Sequence, residues 1–329
     1  MHAALAAFAG HRGRNCILAA VLAGLLASGA AQAQTTIAAG MVAHGPPQWP
    51  QYIAEDLGWF KQDNIDLRLV TVGGGGVAQV AAGSLDMAHS GYPDFARAAL
   101  HDAPVRIVLS DFIGSPYGVF AKKNIDSIAA LKGKLISIGG PNDITLIYIK
   151  PFLASAGVQT SDVDFVYAKA AGDRFAALVS GAVDAAILNP PTYFEAVAAG
   201  LSNLGDTKPY AQGVPFTVWG VNTKWAASHR DALIAFTRDY TRAVAWLYDP
   251  ANKDRAIDIL VKYAHQKPDV SRKAYEYLIH KLKLLGTDGD VSDAAYAEMV
   301  KGLAAIGTVT APYPAKSAIF DGSFVHAAN

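Results

Sequence analysis

"GSLDMAHSGYPDF" runs from Gly83 to Phe95, and "GAVDAAILNPPTYF" runs from Gly181 to Phe194. Both read glycine, two residues, aspartate, one residue, alanine, then turn-forming residues and an aromatic; the two aspartates are 98 positions apart (184 − 86). Each glycine follows a helix-like stretch ("VAQVAA", "RFAALVS") and fits the left-handed position beyond a helix C-terminus, which residues with a Cβ occupy less readily. The small apolar residues that follow form a buried strand, and Gly91-Tyr92-Pro93 or Asn189-Pro190-Pro191 turns the chain into another helix, the first starting at Pro93 or Asp94. Helix, glycine stop, buried strand, turn and helix make one structural station, used once in each of two similar α/β halves. Asp86 and Asp184 serve the turn into each strand through side-chain bonds to nearby backbone.

Working outward, "TTIAAGMV" and "DLRLVTV" read as strands, with a helix between them whose apolar face carries Tyr52, Ile53, Leu57 and Phe60. "VRIVLS" follows the first station. A second series contains strand "KLISIGG", a helix capped by Asn142 or Asp143 and stopped by Gly157, strand "VDFVYA", and helix "GDRFAALVSG". Pro151 kinks or bounds the capped helix. Strand–helix alternation predicts mostly parallel sheets flanked by helices. "FTVWGVN" is a returning strand. Beyond Trp225 the chain is helical, with Leu233, Phe236, Tyr240, Val244 and Leu247 recurring at threes and fours.

The N-terminal 33 residues read as a secretory signal. His11, Arg12 and Arg14 precede an apolar run from Ile17 to Leu26, which ends in small residues and Ala31-Gln32-Ala33. That run is too short to span a bilayer comfortably. Cleavage after Ala33 leaves an exported chain of about 300 residues, a length that favours two lobes. The single cysteine, Cys16, lies inside the leader, so the exported chain has no disulfide, thiol or Cys-based metal site. Removing Arg12 and Arg14 leaves 26 basic residues (28 − 2) against 28 acidic ones. That balance gives no electrostatic attraction to nucleic acid or an anionic membrane.

Ligands of open α/β sheets bind beyond the carboxyl ends of strands, where helix N-termini offer free N–H groups. That rule selects five stretches: His44 to Trp49, Gly73 to Val77, Ser90 to Asp94, Gly139 to Thr145, and Asn189 to Tyr193. From them come the candidate ligand-binding residues His44, Trp49, Gly75, Gly76, Ser90, Gly91, Tyr92, Asn142, Asp143, Thr145, Asn189 and Tyr193. The aromatics Trp49, Tyr92 and Tyr193 are candidates for apolar walls with a polar tip, and Trp49 and Tyr92 are equally open to ordinary packing. Asp143 is first a helix cap. Lys169 and Arg174 follow strand "VDFVYA" and are open to either a solvated face or an anion contact; ligand contact is open in the same way for His44, His89 and Asp94. "GGGG" (Gly73 to Gly76) is a flexible turn, lacking the lysine of a phosphate loop and the spacing of a dinucleotide turn. No H-E-x-x-H, G-x-S-x-G or metal-ligand spacing appears. No catalytic residue, metal site or cofactor is therefore assigned.

"QYIAEDLGWFKQDNIDLRLV", "AAGSLDMAHSG", "IAALKGKLISIGG", "ALVSGAVDAAI" and "GTVTAPYPAKSAIFDGSFV" resemble, in matching order from about residue 36 to 325, the periplasmic solute-binding proteins of ABC importers for aliphatic sulfonates, taurine and nitrate. That family includes pyrimidine-precursor synthase-like relatives. The resemblance implies a type II periplasmic-binding fold: lobe 1 from 34–118 plus 222–329, lobe 2 from 119–221, hinge strands Tyr117 to Lys122 and Phe216 to Asn222, and C-terminal helices mainly on lobe 1. It further implies a monomer that traps a small organic or inorganic anion (sulfonate, taurine, nitrate or carboxylate type), needs no cofactor, catalyses nothing, and docks on an inner-membrane permease with its ATPase. The matching ligand loops have no arginine, which favours a monoanion held by N–H groups, or an uncharged or aromatic ligand, over a strongly ion-paired dianion. The rival readings are a ligand-binding partner of a membrane sensor and a cysteine-independent enzyme of the same fold.

Overall fold

A computed structural model describes residues 34–328; the expected leader and its expected cleavage point lie outside the described residues. Ten strands form: β1 (Thr35–Met41), β2 (Ile65–Thr71), β3 (Met87–Gly91), β4 (Val105–Ser110), β5 (Gly118–Ala121), β6 (Leu135–Ile138), β7 (Asp164–Tyr167), β8 (Ala185–Leu188), β9 (Ser202–Asp206) and β10 (Thr217–Asn222). They build two five-stranded sheets, β2-β1-β3-β10-β4 and β7-β6-β8-β5-β9. In the first, β1 runs parallel to β2 and β3, and β10 runs antiparallel to β3 and β4. In the second, β6 runs parallel to β7 and β8, and β5 runs antiparallel to β8 and β9. The sheets thus share one plan, and helices flank each in an α/β architecture.

The repeated phrase occupies the same place in both. Its strands, β3 and β8, are the central strands, and both glycines are left-handed, with φ of 77° at Gly83 and 80° at Gly181. The aspartates also match. Asp86 Oδ2 accepts from the Ala38 N–H at 2.8 Å, and Asp184 Oδ2 accepts from the Leu135 N–H at 3.1 Å. Each carboxylate therefore satisfies an amide on the neighbouring parallel strand, not one in its own turn.

The chain crosses from the first sheet to the second between Ser110 and Gly118, and returns between Asp206 and Thr217. The expected hinge strands sit slightly later than these crossings: β5 and β10 are each paired on both sides within a single sheet. The two crossing segments bond to each other, Phe216 N–H to Phe112 O at 2.7 Å and Thr207 N–H to Tyr117 O at 2.9 Å. Strand β9 has no counterpart in the sequence reading, because "SNLGD" carries one apolar residue and no alternation. Other boundaries shift modestly. The first helix breaks at Gly58 (φ 73°) into Trp49–Asp56 and Trp59–Gln62, and the helix after β3 begins at Tyr92, ahead of Pro93. Pro151 stays inside the helix Ile144–Ala154.

Beyond β10 lie helices Arg230–Tyr248, Lys253–Ala264, Pro268–Ala274 and Asp293–Ala305, with a π-helical segment at Tyr275–Lys281. Leu233, Phe236, Tyr240, Val244 and Leu247 are all fully buried, as their spacing predicted, and Phe236 stacks on Phe60 with ring centroids 5.6 Å apart. Helix Asp293–Ala305 contacts both lobes: Tyr92 Oη donates to Met299 O at 3.1 Å, and Lys150 Nζ donates to Ala305 O at 2.6 Å.

Candidate functional site

Loops at the carboxyl ends of strands from both sheets enclose a cavity of about 410 Å³. The first sheet contributes Val42 to Gly45 after β1, Pro47 and Gln48, His89 to Gly91 at the end of β3, and Thr217. The second contributes Asp143 and Ile144, Lys169 to Gly172, Arg174, and Asn189 to Thr192 with Glu195; Tyr117 and Phe216 enter from the crossing segments. Four of the five stretches selected by the strand-end rule contribute lining residues; Gly73 to Val77 contributes none.

Arg174 dominates the electrostatics. It sits in the first turn of helix Ala171–Val179 and is only 1% exposed. Its Nε donates to Ile187 O, and its Nη1 donates to Ala168 O and Lys169 O, each at 2.8 Å. Among the described residues no carboxylate comes within 4.0 Å of it. A buried cation without a counter-ion is costly unless it is solvated or paired. Three carbonyls supply part of that compensation and fix the guanidinium plane, 5.8 Å from the Tyr117 ring centroid. Burial raises the Tyr117 phenol to about 12, against the lowering effect of Arg174. The same helix has no side-chain cap, so its first N–H groups add to the positive field. The loops lack an arginine, and the first turn of a helix supplies one: Arg174, left open between a solvated face and an anion contact, lines the cavity.

Lys169 behaves differently. Its Nζ lies 2.7 Å from Asp94 Oδ2 and 2.6 Å from Asp143 Oδ2. Burial lowers the lysine pKa, but the two carboxylates outweigh it and leave the ammonium above its ordinary range. Burial likewise pushes the Asp143 carboxyl up, while Lys169 and the hydrogen bonds from Thr145 prevail and hold it below the usual range. Asp143 caps helix Ile144–Ala154: its Oδ1 accepts from Thr145 N–H at 2.9 Å and Thr145 Oγ1 at 2.7 Å. Asp94 also accepts from Ser90 Oγ at 2.7 Å and pairs with Arg97 at 3.0 Å, and Arg97 reaches Asn142 O at 3.1 Å. Because Asp94 and Arg97 belong to the first sheet's lobe, and Lys169 and Asn142 to the second, these contacts bridge the cleft.

On the first-lobe wall, His89 is held between Asp111 Oδ2 at 2.5 Å and Gln48 Nε2 at 3.0 Å, with its ring centroid 5.0 Å from that of Trp219. A Gln48 amide nitrogen donating to Nδ1 places the ring proton on Nε2, facing Asp111. His44 Nδ1 lies 2.8 Å from Tyr52 Oη, and burial together with the nearby His265 lowers its pKa, favouring the neutral ring.

Of the twelve candidates, His44, Ser90, Gly91, Asp143 and Asn189 line the cavity. Trp49 does not: it is fully buried, its indole N–H donates to Ala256 O at 2.8 Å, and its ring meets Tyr275 edge-on. Tyr92 is equally buried and bonded to the C-terminal helix. Tyr193 packs on Phe120 and Tyr277 and donates to Asp206 Oδ1 at 3.1 Å. Thr145 supports the Asp143 cap from behind, accepting from Gly139 N–H at 2.7 Å. Asn142 is exposed and meets Arg97 through its carbonyl. Gly75 and Gly76 start the helix after β2, and their neighbour Gly74 faces the stem of Lys169. Sequence reasoning left out Gln48, Tyr117, Phe216 and Glu195. Gln48 lies within the selected stretch His44 to Trp49 but was not singled out there; Tyr117 and Phe216 are ordinary core types by composition, and only the crossing of the chain brings these two aromatics to the cavity.

Two α/β lobes with a loop-lined cavity between their sheets form the fold of solute-binding proteins of ABC importers. The sequence profile of the NMT1/THI5-like family matches residues 46–253, and the chain belongs to that family. Among solved structures, the alkanesulfonate-binding protein SsuA from Xanthomonas axonopodis pv. citri, bound to MOPS, is 15% identical with a TM-score of 0.70 over 88% of this chain and 99% of that one. The periplasmic nitrate-binding protein NrtA from Synechocystis PCC 6803 is 14% identical, with a TM-score of 0.75 over 90% and 88%. The desulfurization enzyme DSZB is also similar, at 14% identity and a TM-score of 0.66 over 89% and 98%, so the fold hosts an enzyme as well as binding proteins. No curated protein sequence matches the chain.

Proposed function

We propose that this protein is the periplasmic substrate-binding component of an ABC importer, trapping a small anion between its lobes and releasing it unchanged to a membrane permease. The carrying observation is Arg174, a buried guanidinium without a carboxylate partner among the described residues, in the wall of an inter-lobe cavity. Helix N-terminal amides around it favour an anion further. In this reading the lobes are 34–118 with 222–329, and 119–221, and they hinge at the two crossing segments. Contacts such as Lys169–Asp94, made only when the lobes approach, favour the closed form. An importer role fits an N-terminal leader cleaved after Ala33 and a monomer free in the periplasm. Turnover by the thiol route is disfavoured because the sequence has one cysteine, Cys16, inside that leader. Small-angle scattering with and without a saturating anion, combined with product analysis, tests the proposal. Contraction on binding with the anion recovered intact is expected; chemical conversion of it would transfer the protein to the enzymatic branch.

A further inference from the structure

We infer that the cavity selects an organic monoanion with an apolar, aromatic-sized body over an inorganic oxyanion or a dianion, an inference that rests on the anion-trapping reading. Three independent features of the site agree on this.

Size comes first. The lobes are already bridged by Lys169–Asp94 and Arg97–Asn142, so about 410 Å³ is the space left after they approach. That lies within the roughly 300–1,000 Å³ of sites that enclose whole organic ligands. A four-atom oxyanion would leave most of it to water.

Charge comes second. Lys169 is saturated by two carboxylates and offers no net charge to a ligand. Arg174 is the lining cation without a carboxylate partner among the described residues, and Glu195 stands at the rim. One negative charge balances Arg174; a second would be buried unpaired or would face Glu195 and the carboxylates around Lys169.

The walls come third. Tyr117 and Phe216, both nearly buried, meet edge-to-face at 5.2 Å, and Ile144, Pro47, Pro190 and Val42 complete an apolar surface. Such a surface gains from a ligand's carbon body and gains nothing from a fully hydrated ion.

Calorimetric titration of ligand-stripped protein with benzoate, benzenesulfonate, nitrate, sulfate, phthalate and taurine tests the inference. Benzoate or benzenesulfonate is expected to bind about tenfold or more tightly than nitrate, sulfate or phthalate. Whichever of the two is tighter tells a planar head from a tetrahedral one. Arg174→Lys should lower that affinity by about tenfold in protein that a thermal melt shows is still folded at the titration temperature. Tightest binding of nitrate, sulfate, phthalate or taurine overturns the size-and-charge inference while leaving anion trapping intact. Folded protein that binds none of the six sinks the anion-trapping reading itself.

Discussion

The ammonium of Lys169, carried by the second lobe, stands 2.7 Å from the carboxylate of Asp94 in the first. Together with Arg97 and Asp143 it forms a charged clasp at the cavity mouth, and both partners are mostly shielded from water. In the proposed closing motion this pair supplies an electrostatic component independent of any ligand.

Asp94→Asn should weaken that component. Anion affinity is expected to fall roughly fivefold, about 1 kcal/mol for a partly shielded pair, mainly through faster dissociation. Stopped-flow kinetics at low salt and at 1 M NaCl provide the check, since high salt should narrow the gap between variant and wild type.

Arg174→Lys keeps the charge but cannot keep the fork that engages Ile187 O, Ala168 O and Lys169 O. Anion affinity should drop tenfold or more while the fold survives. Arg174→Ala should instead be unstable, because the buried carbonyl of Ile187 would lose its donor at about 1–3 kcal/mol, and the part-buried carbonyls of Ala168 and Lys169 would lose theirs too. Paired calorimetry and thermal melts distinguish the two outcomes.

Trp49→Ala is expected to cost about 3–5 kcal/mol of stability, the usual penalty for emptying a fully buried aromatic site. Trp49 does not line the cavity, so affinity measured well below the melting temperature should change by less than about twofold. Unchanged stability with lost binding would return the ring to the ligand.

Asp239 gives a pH dependence of known sign. Burial, helped by the neighbouring Asp63 carboxylate, pushes its pKa up to about 7 against the pull of Arg238 and Arg242. The folded state therefore holds a proton that the unfolded chain releases near the ordinary 3.8. The stability this contributes is complete below that value and lost as pH rises through about 7. Asp239→Asn, a mimic of the protonated form, should match wild type near pH 3.5 and exceed it increasingly as pH rises, by on the order of 1 kcal/mol at pH 8. Melting curves at the two pH values test it.

Much of the architecture was legible in the chain. Gly83 and Gly181 announced two helix stops, and the small residues after them announced the central strands, because a left-handed position and a strand buried on both faces each restrict residue type. The helix face from Leu233 to Leu247 was readable from spacing alone. Strand β9 was not, because an edge strand that borrows its stability from β5 needs little pattern of its own. Within the site, Asp143 showed as a cap and the strand-end rule found the loops. Trp49, Tyr92 and Tyr193 lie on or beside those loops, yet their rings turn into packing.

The sequence by itself determined two matched α/β halves, the family to which they belong, and the loops that face the cleft. Those features rest on local constraints: backbone conformation, periodicity and capping act within a few residues. Which charges face the ligand was decided only by tertiary structure. Lys169 and Arg174 lie five positions apart on one short stretch, but one is neutralised by Asp94 and Asp143 while the other is locked by carbonyls, without a counter-charge among the described residues. That difference arises from partners contributed by distant segments, and no local pattern encodes it.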